Sequence, residues 1–302
     1  MNHNFARSVA MVRPAAFQYN CSTASTNHFQ ERDHRTVEEI LKLALAEFDH
    51  MVDLLRSSGI DVLVLNDPSS PELPDAVFPN NWFVSLPGEI MICPMHSKSR
   101  REEKKPEHLQ RLKEFTGSKL ISDWSKFEAK GLFLEGTGSL VLDRENRKAF
   151  ACRSERTTDI LFNKFCKHAG YEGIFFDAYD RQGREIYHTN VMMCIGNHFA
   201  VICEEALRKP REKAEVTKAI AGCEKEVIGI SFLQMQNFAG NMLQLQNTEG
   251  EPVLLMSSSA RESLHPNQLQ KIQAYTRILS VNIKTIETIG GGSARCMMAE
   301  LF

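Results

Sequence analysis

Apolar, strand-like runs recur along the sequence, and each follows a short junction of polar residues. The junctions carry Asn81, Glu135, His188, Asn241 and Cys296, which are separated by 54, 53, 53 and 55 residues. Self-similarity at such a period indicates a closed or stacked repeat architecture, because one small unit cannot bury its own apolar face. Equivalent positions of a closed ring face the same axis. We therefore expect these five side chains to meet in one pocket.

The pattern within a period predicts two strands, a helix and a third strand. The first unit begins with a strand at 8–12, and its helix at 36–58 starts with a capping box of Thr36 and Glu39 and stops at Gly59. Apolar alternation and turn dipeptides place the later elements. The other predicted strands are 62–65, 82–86, 89–93, 139–143, 148–152, 174–178, 191–195, 198–203, 242–246, 253–257 and 283–289, and the other predicted helices are 106–115, 158–168 and 267–279.

The two ends of the sequence each carry a strand without a partner, at 8–12 and at 297–301. Pairing them would close the ring and remove a bare sheet edge. We therefore predict an α/β fold, a five-bladed pseudo-symmetric propeller of ββαβ units that forms a single catalytic domain over residues 1–302. Length alone would favour about two domains. An unrelated α/β fold with hairpins at chance spacing is the alternative.

Composition narrows the classes of function. The net charge of −2 gives no support for binding to nucleic acid or an anionic membrane. No apolar run approaches the roughly 20 residues of a membrane span, and residues 1–7 lack a signal-peptide core, so we expect a cytoplasmic protein. The eight cysteines contain no CxxC pair and the histidines no HxxxH spacing. We therefore expect reduced thiols, no metal and no cofactor.

The segment from Gly290 to Cys296, Gly-Gly-Gly-Ser-Ala-Arg-Cys, is the sharpest local motif. Its glycines permit positive φ and close approach of the backbone to a ligand. A thiol with the usual pKa of about 8.5 is mostly protonated at neutral pH, and the neighbouring Arg295 would favour the thiolate. The motif therefore indicates a cysteine nucleophile. A glycine turn followed by an inert buried cysteine is the structural alternative.

Two other junction residues suit acid–base chemistry. His188 precedes Thr189 and an apolar run, and its ordinary pKa near 6.5 suits proton transfer to a leaving amine and from water. Glu135 lies between apolar residues and a glycine turn, where a partly buried carboxylate needs a cation or an amide as partner. The alternatives are a hydrogen-bonded structural histidine and a solvated glutamate.

The glycine-rich run before a near-terminal Cys296, the Leu-Glu-Gly turn at Glu135 and the mid-chain His188 together resemble the guanidino-group-modifying (pentein) enzymes over essentially the whole sequence. These include arginine deiminase, dimethylarginine dimethylaminohydrolase and amidinotransferases. Residues 75–82 with Val-Arg-Pro at 12–14 resemble the branch of citrulline-utilization hydrolases and amidinotransferase-like proteins. The resemblance implies that Cys296 attacks the amidine or ureido carbon, His188 shuttles protons and Glu135 orients substrate nitrogens.

The resemblance also implies residues that contact a small amino-acid substrate. Arg100 and Arg156 match arginines that hold the substrate carboxylate, although Arg100 lies in a charge run that would also suit a solvated helix start. Asparagines stand where relatives carry acidic residues. The implied substrate-binding residues are Asp75, Asn80, Asn81, Arg100, Arg156, Asn190 and Asn241.

The asparagines that replace acidic residues affect which charge the reacting group of the substrate is expected to carry. A negative charge about 4 Å from a guanidinium is worth roughly 4 kcal/mol at an effective dielectric of 20, and a neutral ureido group loses little without it. We therefore predict hydrolysis of citrulline to ornithine, ammonia and carbon dioxide. Dimethylarginine hydrolysis, arginine deimination and amidinotransfer are alternatives, as is a non-catalytic binding protein with the same fold. Homo-oligomer formation is left open.

Overall fold

In the computed structural model, which describes residues 5–68 and 70–302, the strands form five three-stranded sheets. In each sheet the central strand pairs antiparallel with one neighbour and parallel with the other. The strands are β1 (Ser8–Arg13), β2 (Asp61–Asn66), β3 (Phe83–Leu86), β4 (Glu89–Ile92), β5 (Leu120–Asp123), β6 (Val141–Asp143), β7 (Lys148–Cys152), β8 (Glu172–Phe176), β9 (Met193–Ile195), β10 (Phe199–Ile202), β11 (Glu226–Gly229), β12 (Leu243–Gln246), β13 (Pro252–Ser257), β14 (Arg277–Val281) and β15 (Ala299–Leu301).

The mixed α/β fold with one small sheet per repeat matches the predicted class. The sheets are β15-β1-β2, β3-β4-β5, β6-β7-β8, β9-β10-β11 and β12-β13-β14. The first sheet joins the two ends of the sequence, because β1 pairs antiparallel with β15, Ser8 opposite Leu301, and parallel with β2. The arrangement of the five sheets as blades around one axis stays a prediction.

Helices connect the central and outer strands or form short turns near the site. They are α1 (Val37–Ser57), α2 (Lys98–Arg101), α3 (Pro106–Thr116), α4 (Gly136–Ser139), α5 (Asp159–Ala169), α6 (Thr189–Met192), α7 (Pro210–Ala221), α8 (Phe232–Gln236), α9 (Ser258–Ser263), α10 (Pro266–Gln273) and α11 (Lys284–Gly290). The capping box predicted for α1 is present, with Thr36 and Glu39 each accepting from the other's backbone. No helix in the described part of the protein is both long and apolar enough to cross a bilayer.

The last repeat differs from the sequence-based prediction. The helix predicted at 267–279 ends at Gln273, and the segment Arg277–Val281 is strand β14, which pairs parallel with β13. The strand predicted at 283–289 is helix α11. The isoleucines at 283, 286 and 289 are all buried, which is helical spacing, and the Glu47 carboxylate of α1 accepts the backbone N–H groups of Thr285 and Ile286.

Two predicted strands begin later than expected. The runs predicted at 139–143 and 191–195 start as the helical turns α4 and α6, and only then become strands β6 and β9. In each turn a backbone N–H group donates a hydrogen bond to the carbonyl of Glu135 or His188. The Ser139 N–H, for example, donates to the Glu135 carbonyl at 3.1 Å. Each junction residue thereby lies just before an edge strand of its sheet, β6 or β9.

The strands and helices bury an extensive apolar core. Central strands β7 and β10 are almost wholly buried, and so is the antiparallel edge strand β3. The parallel edge strands β5 and β8 are largely exposed or half-buried, so burial decreases toward the parallel edge of each sheet. A loop at 14–35 contains no regular element, yet Thr23, Asn27 and Gln30 in it are buried. This loop, called the cover loop below, donates hydrogen bonds to Asp75, Gly290 and Gly291 and accepts them from Arg156.

Candidate active site

All ten residues predicted for the site are buried, although four of them are acidic or arginine side chains. None exceeds 5% exposure, which is exceptional for such polar side chains, because a buried polar group normally needs an internal partner. They are Asp75, Asn80, Asn81, Arg100, Glu135, Arg156, His188, Asn190, Asn241 and Cys296.

The Cys296 sulfur lies between two asparagine amides. The Nδ2 of Asn241 is 3.3 Å from the sulfur and that of Asn190 is 3.6 Å from it. Asn241 is itself fixed, because Nδ2 donates to the Asn190 carbonyl at 2.9 Å and Oδ1 accepts the Arg295 backbone N–H at 3.1 Å. The sulfur also lies 3.6 Å from Oδ1 of Asn241, so both amide atoms of this side chain contact it.

His188 and Glu135 form a buried pair. The Nε2 of His188 is 2.7 Å from Oε2 of Glu135, and Oε1 of Glu135 accepts the His96 backbone N–H at 2.9 Å. Burial lowers the pKa of His188 to about 4, against the opposing effect of Glu135. Burial alone would raise the pKa of Glu135, but Arg156 and His188 outweigh it and hold that pKa below its usual range.

These pKa directions fix the protonation of the pair at neutral pH. Glu135 is ionised and accepts only, so the neutral imidazole of His188 carries its proton on Nε2. The Nδ1 atom is then the free base of the ring. This atom faces Gly138, where an added Cβ would lie 2.8 Å from it. The geometry is that of a base oriented by a carboxylate.

Arg156 lies over the carboxylate and is held by the cover loop. Its Nη1 is 3.5 Å from Oε2 of Glu135, and its guanidinium stacks 4.8 Å from the Tyr187 ring centroid. On the other edge, Nε and Nη2 donate to Oγ1 of Thr26 at 3.2 and 2.5 Å. Nη2 also donates to the Thr23 carbonyl at 3.3 Å. Because both partners on that edge are neutral, a carboxylate would bind there more strongly.

The Arg100 guanidinium binds protein groups, whereas the resemblance implied that it binds the substrate carboxylate. Nε and Nη2 form a two-pronged contact with the Glu103 carboxylate at 2.8 and 2.9 Å, and Nη1 donates to Oδ1 of Asn81 at 2.7 Å. Nη2 also donates to the Phe78 carbonyl. These contacts do not support Arg100 as a ligand of the substrate carboxylate. They instead orient Asn81, and the side chain is buried rather than a solvated helix start.

Several buried polar atoms of the site have no hydrogen-bond partner among the described residues. They are Oδ1 of Asp75, both amide atoms of Asn80, Nδ2 of Asn81 and Oδ1 of Asn190. The other oxygen of Asp75 accepts from Asn20 and Thr23 of the cover loop, at 3.0 and 3.1 Å. Unpaired buried donors and acceptors are costly, so their concentration here indicates a site for a polar molecule.

Glycines allow the junctions to approach one another. A Cβ on Gly138 would lie 2.2 Å from Nδ2 of Asn81 and 2.8 Å from the His188 ring, so only glycine fits between these side chains. Gly136 has a φ of +46°, and a Cβ there would lie 2.2 Å from the Asn80 carbonyl. The glycines after Glu135 are therefore required by close contact between three junctions.

The sequence reasoning missed the cover loop and Tyr187. Tyr187 donates its hydroxyl to the Gly291 carbonyl at 2.9 Å, and Asn27 donates to the Gly290 carbonyl at 3.1 Å. The signal available in the sequence was the long stretch at 14–35 without a helix or strand pattern, because loops of that length are usually functional. No sequence pattern marked Tyr187 beyond its place next to His188.

Two cavities lie beside this site. One of about 310 Å³ is lined by Arg156, Tyr187 and Thr26, and one of about 540 Å³ by Tyr187, Phe238 and other residues. Arg156 and Tyr187 line these spaces and also contact the buried site through Glu135 and Gly291. Within residues 5–68 and 70–302, no cluster of His, Cys, Asp and Glu has the geometry to hold a metal ion.

Five three-stranded sheets, with a cysteine, a histidine and a glutamate at their junctions in this chain, are the fold that it shares with solved guanidino-group-modifying, or pentein, structures. The family model described as N,N dimethylarginine dimethylhydrolase, eukaryotic, matches residues 13–302. The chain belongs to this family, within the superfamily that also contains arginine deiminase. A search of curated proteins finds no significant match.

Solved structures share the fold at low identity. The N-terminal domain of ArgZ, a cyanobacterial arginine dihydrolase, superposes with a TM-score of 0.76 at 16% identity over 97% of each protein. AgrE in complex with L-arginine gives a TM-score of 0.77 at 17% identity over 98% of the present protein and 40% of AgrE. A dimethylarginine dimethylaminohydrolase adduct with S-methyl-L-thiocitrulline gives 0.65 at 15% identity, over 98% and 100%.

The protein spans only part of the larger relatives. It covers 40% of full-length ArgZ, with a TM-score of 0.75 and 16% identity. The similarity therefore corresponds to the N-terminal domain of that protein. The longer proteins contain further sequence that the present protein does not match, so their activities describe those proteins alone.

Proposed function

We propose that the protein is a cysteine-dependent hydrolase that cleaves a C–N bond in the side chain of an arginine-like amino acid. The observation that carries the proposal is the buried Cys296 sulfur, which two amides contact, one of them from Asn190 in the helical turn that begins directly after His188. His188 in turn is paired with Glu135. A nucleophile, a base and an orienting carboxylate are the parts that covalent catalysis needs. Family membership supports the same chemistry.

In the proposed reaction of citrulline, His188 takes the thiol proton of Cys296, and the thiolate adds to the ureido carbon. The bond from this carbon to the terminal nitrogen breaks, and His188 returns the proton so that ammonia leaves. A thiocarbamoyl group then remains on the sulfur. Water adds to the same carbon, passes a proton to His188 and regenerates the thiol. The carbamate released separates into ornithine and carbon dioxide.

The polar surroundings suggest a role for each further residue. Arg156 would bind the α-carboxylate after displacing Thr26, because its Nε–Nη2 edge has only neutral partners, the Thr26 hydroxyl and the Thr23 carbonyl. The amide donors of Asn80 and Asn81 suit the ureido oxygen, and Asp75 suits a substrate N–H group. Arg100 and Asn241 act as positioning residues, for Asn81 and the sulfur respectively.

Citrulline is the substrate we propose, and arginine is the second candidate. Three asparagines without a formal charge favour the neutral ureido group, whereas the unpaired Oδ1 of Asp75 would also attract a guanidinium. The relatives that are arginine dihydrolases or bind L-arginine give the second candidate weight. An enzyme with both capacities would release two molecules of ammonia from each arginine.

The decisive measurement is steady-state turnover of citrulline, arginine and methylarginines by the pure protein, with ammonia, amine and ornithine quantified separately. We expect kcat/KM to be higher for citrulline than for arginine, and faster arginine hydrolysis would overturn the citrulline proposal. Dependence of turnover on an added amine would indicate amidinotransfer. Tight binding without any product would indicate the non-catalytic alternative. Cys296→Ser should abolish turnover, and full activity in it would remove the nucleophile.

A charge variant tests the reason for the substrate choice. Asn80→Asp should raise the ratio of kcat/KM for arginine to that for citrulline by about tenfold or more, because a buried carboxylate attracts the guanidinium. The exposed Asn267→Asp is the matched control and should leave the ratio unchanged. A ratio that Asn80→Asp does not move would show that Asn80 does not face the reacting group.

The proposed function also needs an arrangement of the five sheets that brings the junction residues together. We infer that the five sheets surround one axis in a single catalytic domain, since junction residues from successive repeats contact one another. The cytoplasm is the proposed compartment, and all eight cysteines are free thiols in the structure, which suits reducing conditions. Size-exclusion chromatography with light scattering measures the assembly state.

A further inference from the structure

Glu287 is a buried carboxylate in α11 with an unusual set of partners. Its side chain is 1% exposed, and its two oxygens accept hydroxyl hydrogen bonds of 2.6 Å from different parts of the protein. Oε1 accepts from Ser293 in the glycine segment, and Oε2 accepts from Ser259 in α9. Among residues 5–68 and 70–302, no Lys, Arg or His forms an ion pair with it.

The first of these hydrogen bonds leads directly to the nucleophile. The Ser293 carbonyl accepts the Cys296 backbone N–H at 2.9 Å and the Met297 N–H at 3.3 Å. The Glu287 carbonyl also accepts the N–H of Gly291, whose φ of +63° ends the helix. One residue therefore holds both ends of the turn 291–293, by its main-chain carbonyl and by its carboxylate.

The local backbone has little rigidity of its own. Three consecutive glycines precede Ser293, and glycine has more conformational freedom than other residues. A sulfur displaced by about 1 Å from its attacking position can lose about 100-fold in rate. A carboxylate buried without a cation is costly, whereas an apolar residue of similar volume would fill the same space at lower cost. We attribute the carboxylate at this position to the Ser293 and Ser259 hydroxyl groups that it holds.

We propose that Glu287 is a positioning residue for Cys296, acting through the Ser293 hydroxyl. The carboxylate accepts two short hydrogen bonds and links α9, α11 and the glycine segment into one unit. The positioning role rests on the proposed nucleophile, but it concerns the placement of the sulfur and not the identity of the substrate. It therefore has a test that needs no substrate.

Alkylation of the Cys296 thiol by iodoacetamide, followed by mass spectrometry of the peptide that contains it, reports the placement and reactivity of the sulfur. Glu287→Gln keeps the shape but replaces one acceptor by an amide donor, and Ser293→Ala removes the link to the glycine segment. We expect each variant to change the alkylation rate by about tenfold or more. The double variant should match the single ones, because both break the same link. Ser259→Ala is the control and should have a smaller effect.

With a substrate that the protein turns over, Glu287→Gln and Ser293→Ala should each lower kcat by about 10- to 100-fold while KM stays within about twofold. Circular dichroism and thermal melting establish that each variant is folded. The proposal would be overturned if the effects of Glu287→Gln and Ser293→Ala were additive. It would also be overturned if a folded Glu287→Gln protein had the kcat and the alkylation rate of wild type. The expected alkylation changes without turnover of any substrate would instead disprove the proposed function alone.

Discussion

At the scale of single residues, the site depends on charges and amides that are removed from water. Glu135 remains ionised because Arg156, His188 and a backbone N–H compensate its burial. His188 remains neutral because burial penalises the imidazolium more than Glu135 stabilises it. The residue types were evident from the sequence. Their protonation states were not, since these depend on neighbours that are distant in the sequence and meet only in the folded protein.

The buried histidine predicts how stability depends on pH. The pKa of His188 is about 4 in the folded protein and near 6.5 in the unfolded protein, so the unfolded protein binds the proton first as the pH falls. The folded state therefore loses stability between pH 6.5 and 4, by up to about 1.4 kcal/mol per pH unit from this group. His188→Asn removes the contribution, so its stability should fall less than that of wild type between about pH 7 and pH 5.

Urea denaturation at the two pH values measures this difference. The exposed His34→Asn is the control variant, and it should show the same loss as wild type over this pH interval. Parallel losses in wild type and His188→Asn would mean that His188 already binds its proton in the folded protein near its ordinary pKa. The assignment of His188 as the neutral base would then be wrong.

At the scale of elements, short helical turns decide where the functional side chains lie. Helix α4 follows Glu135 and helix α6 follows His188, and each turns the backbone before strand β6 or β9 begins. The sequence pattern predicts strand within both, because apolar residues continue into the strands that follow. The turns form because the junctions pack against one another, with Gly138 between Asn81 and His188. Local propensity contains no information about that contact.

Gly138→Ala tests this packing. The added methyl group would lie 2.2 Å from Nδ2 of Asn81 and 2.8 Å from the His188 ring, so both side chains must move. We expect kcat to fall about 100-fold or more, because displaced catalytic groups lose their geometry. Steady-state kinetics and thermal melting of the same preparation separate lost activity from lost folding.

The matched control is Gly229→Ala, since Gly229 lies in strand β11 and an added Cβ meets no atom within 4 Å. It should retain wild-type kcat and melting temperature. Wild-type kcat in Gly138→Ala would show that Asn81 and His188 tolerate displacement, and the description of the site as tightly packed would fail.

At the scale of the whole molecule, the last strand connects distant parts of the protein. Glu300 in β15 accepts from Arg295 at 2.9 Å and from Arg144, after strand β6, at 3.2 Å. The Arg295 guanidinium is thus paired with Glu300 and also donates to the Met298 carbonyl. Burial alone would raise the pKa of Glu300, but the two arginines hold it below its usual value. The C-terminal strand, the sheet β6-β7-β8 and the nucleophile segment share one ion cluster.

Glu300→Gln should destabilise the protein by about 3 kcal/mol or more, because it leaves two buried guanidinium groups without their anion. Equilibrium unfolding in urea at neutral pH measures the loss. Glu215→Gln is the control, since it breaks an exposed pair with Arg211 and should leave the denaturation midpoint almost unchanged. Equal midpoints for the two variants would show that the cluster contributes little to stability.

The amino-acid sequence was sufficient to predict the repeat period, most strands and long helices, the capping box of α1 and the five junction residues. These follow from local rules, namely apolar alternation, turn residues and the spacing of polar junctions. The remaining site residues, among them Asp75, Arg100 and Arg156, came from the resemblance to pentein enzymes and not from local rules. The same local rules gave the wrong element at 283–289, because isoleucine and threonine favour strands when nothing else acts.

Features that depend on contacts between distant residues were fixed only in the folded protein. Glu47 of α1 caps α11 and makes it a helix, and Glu103 engages Arg100. The cover loop supplies a hydroxyl to Arg156, and Glu287 holds the turn before Cys296. Each of these outcomes depends on burial, which sets the cost of an unpaired charge or amide, and burial exists only once the protein has folded.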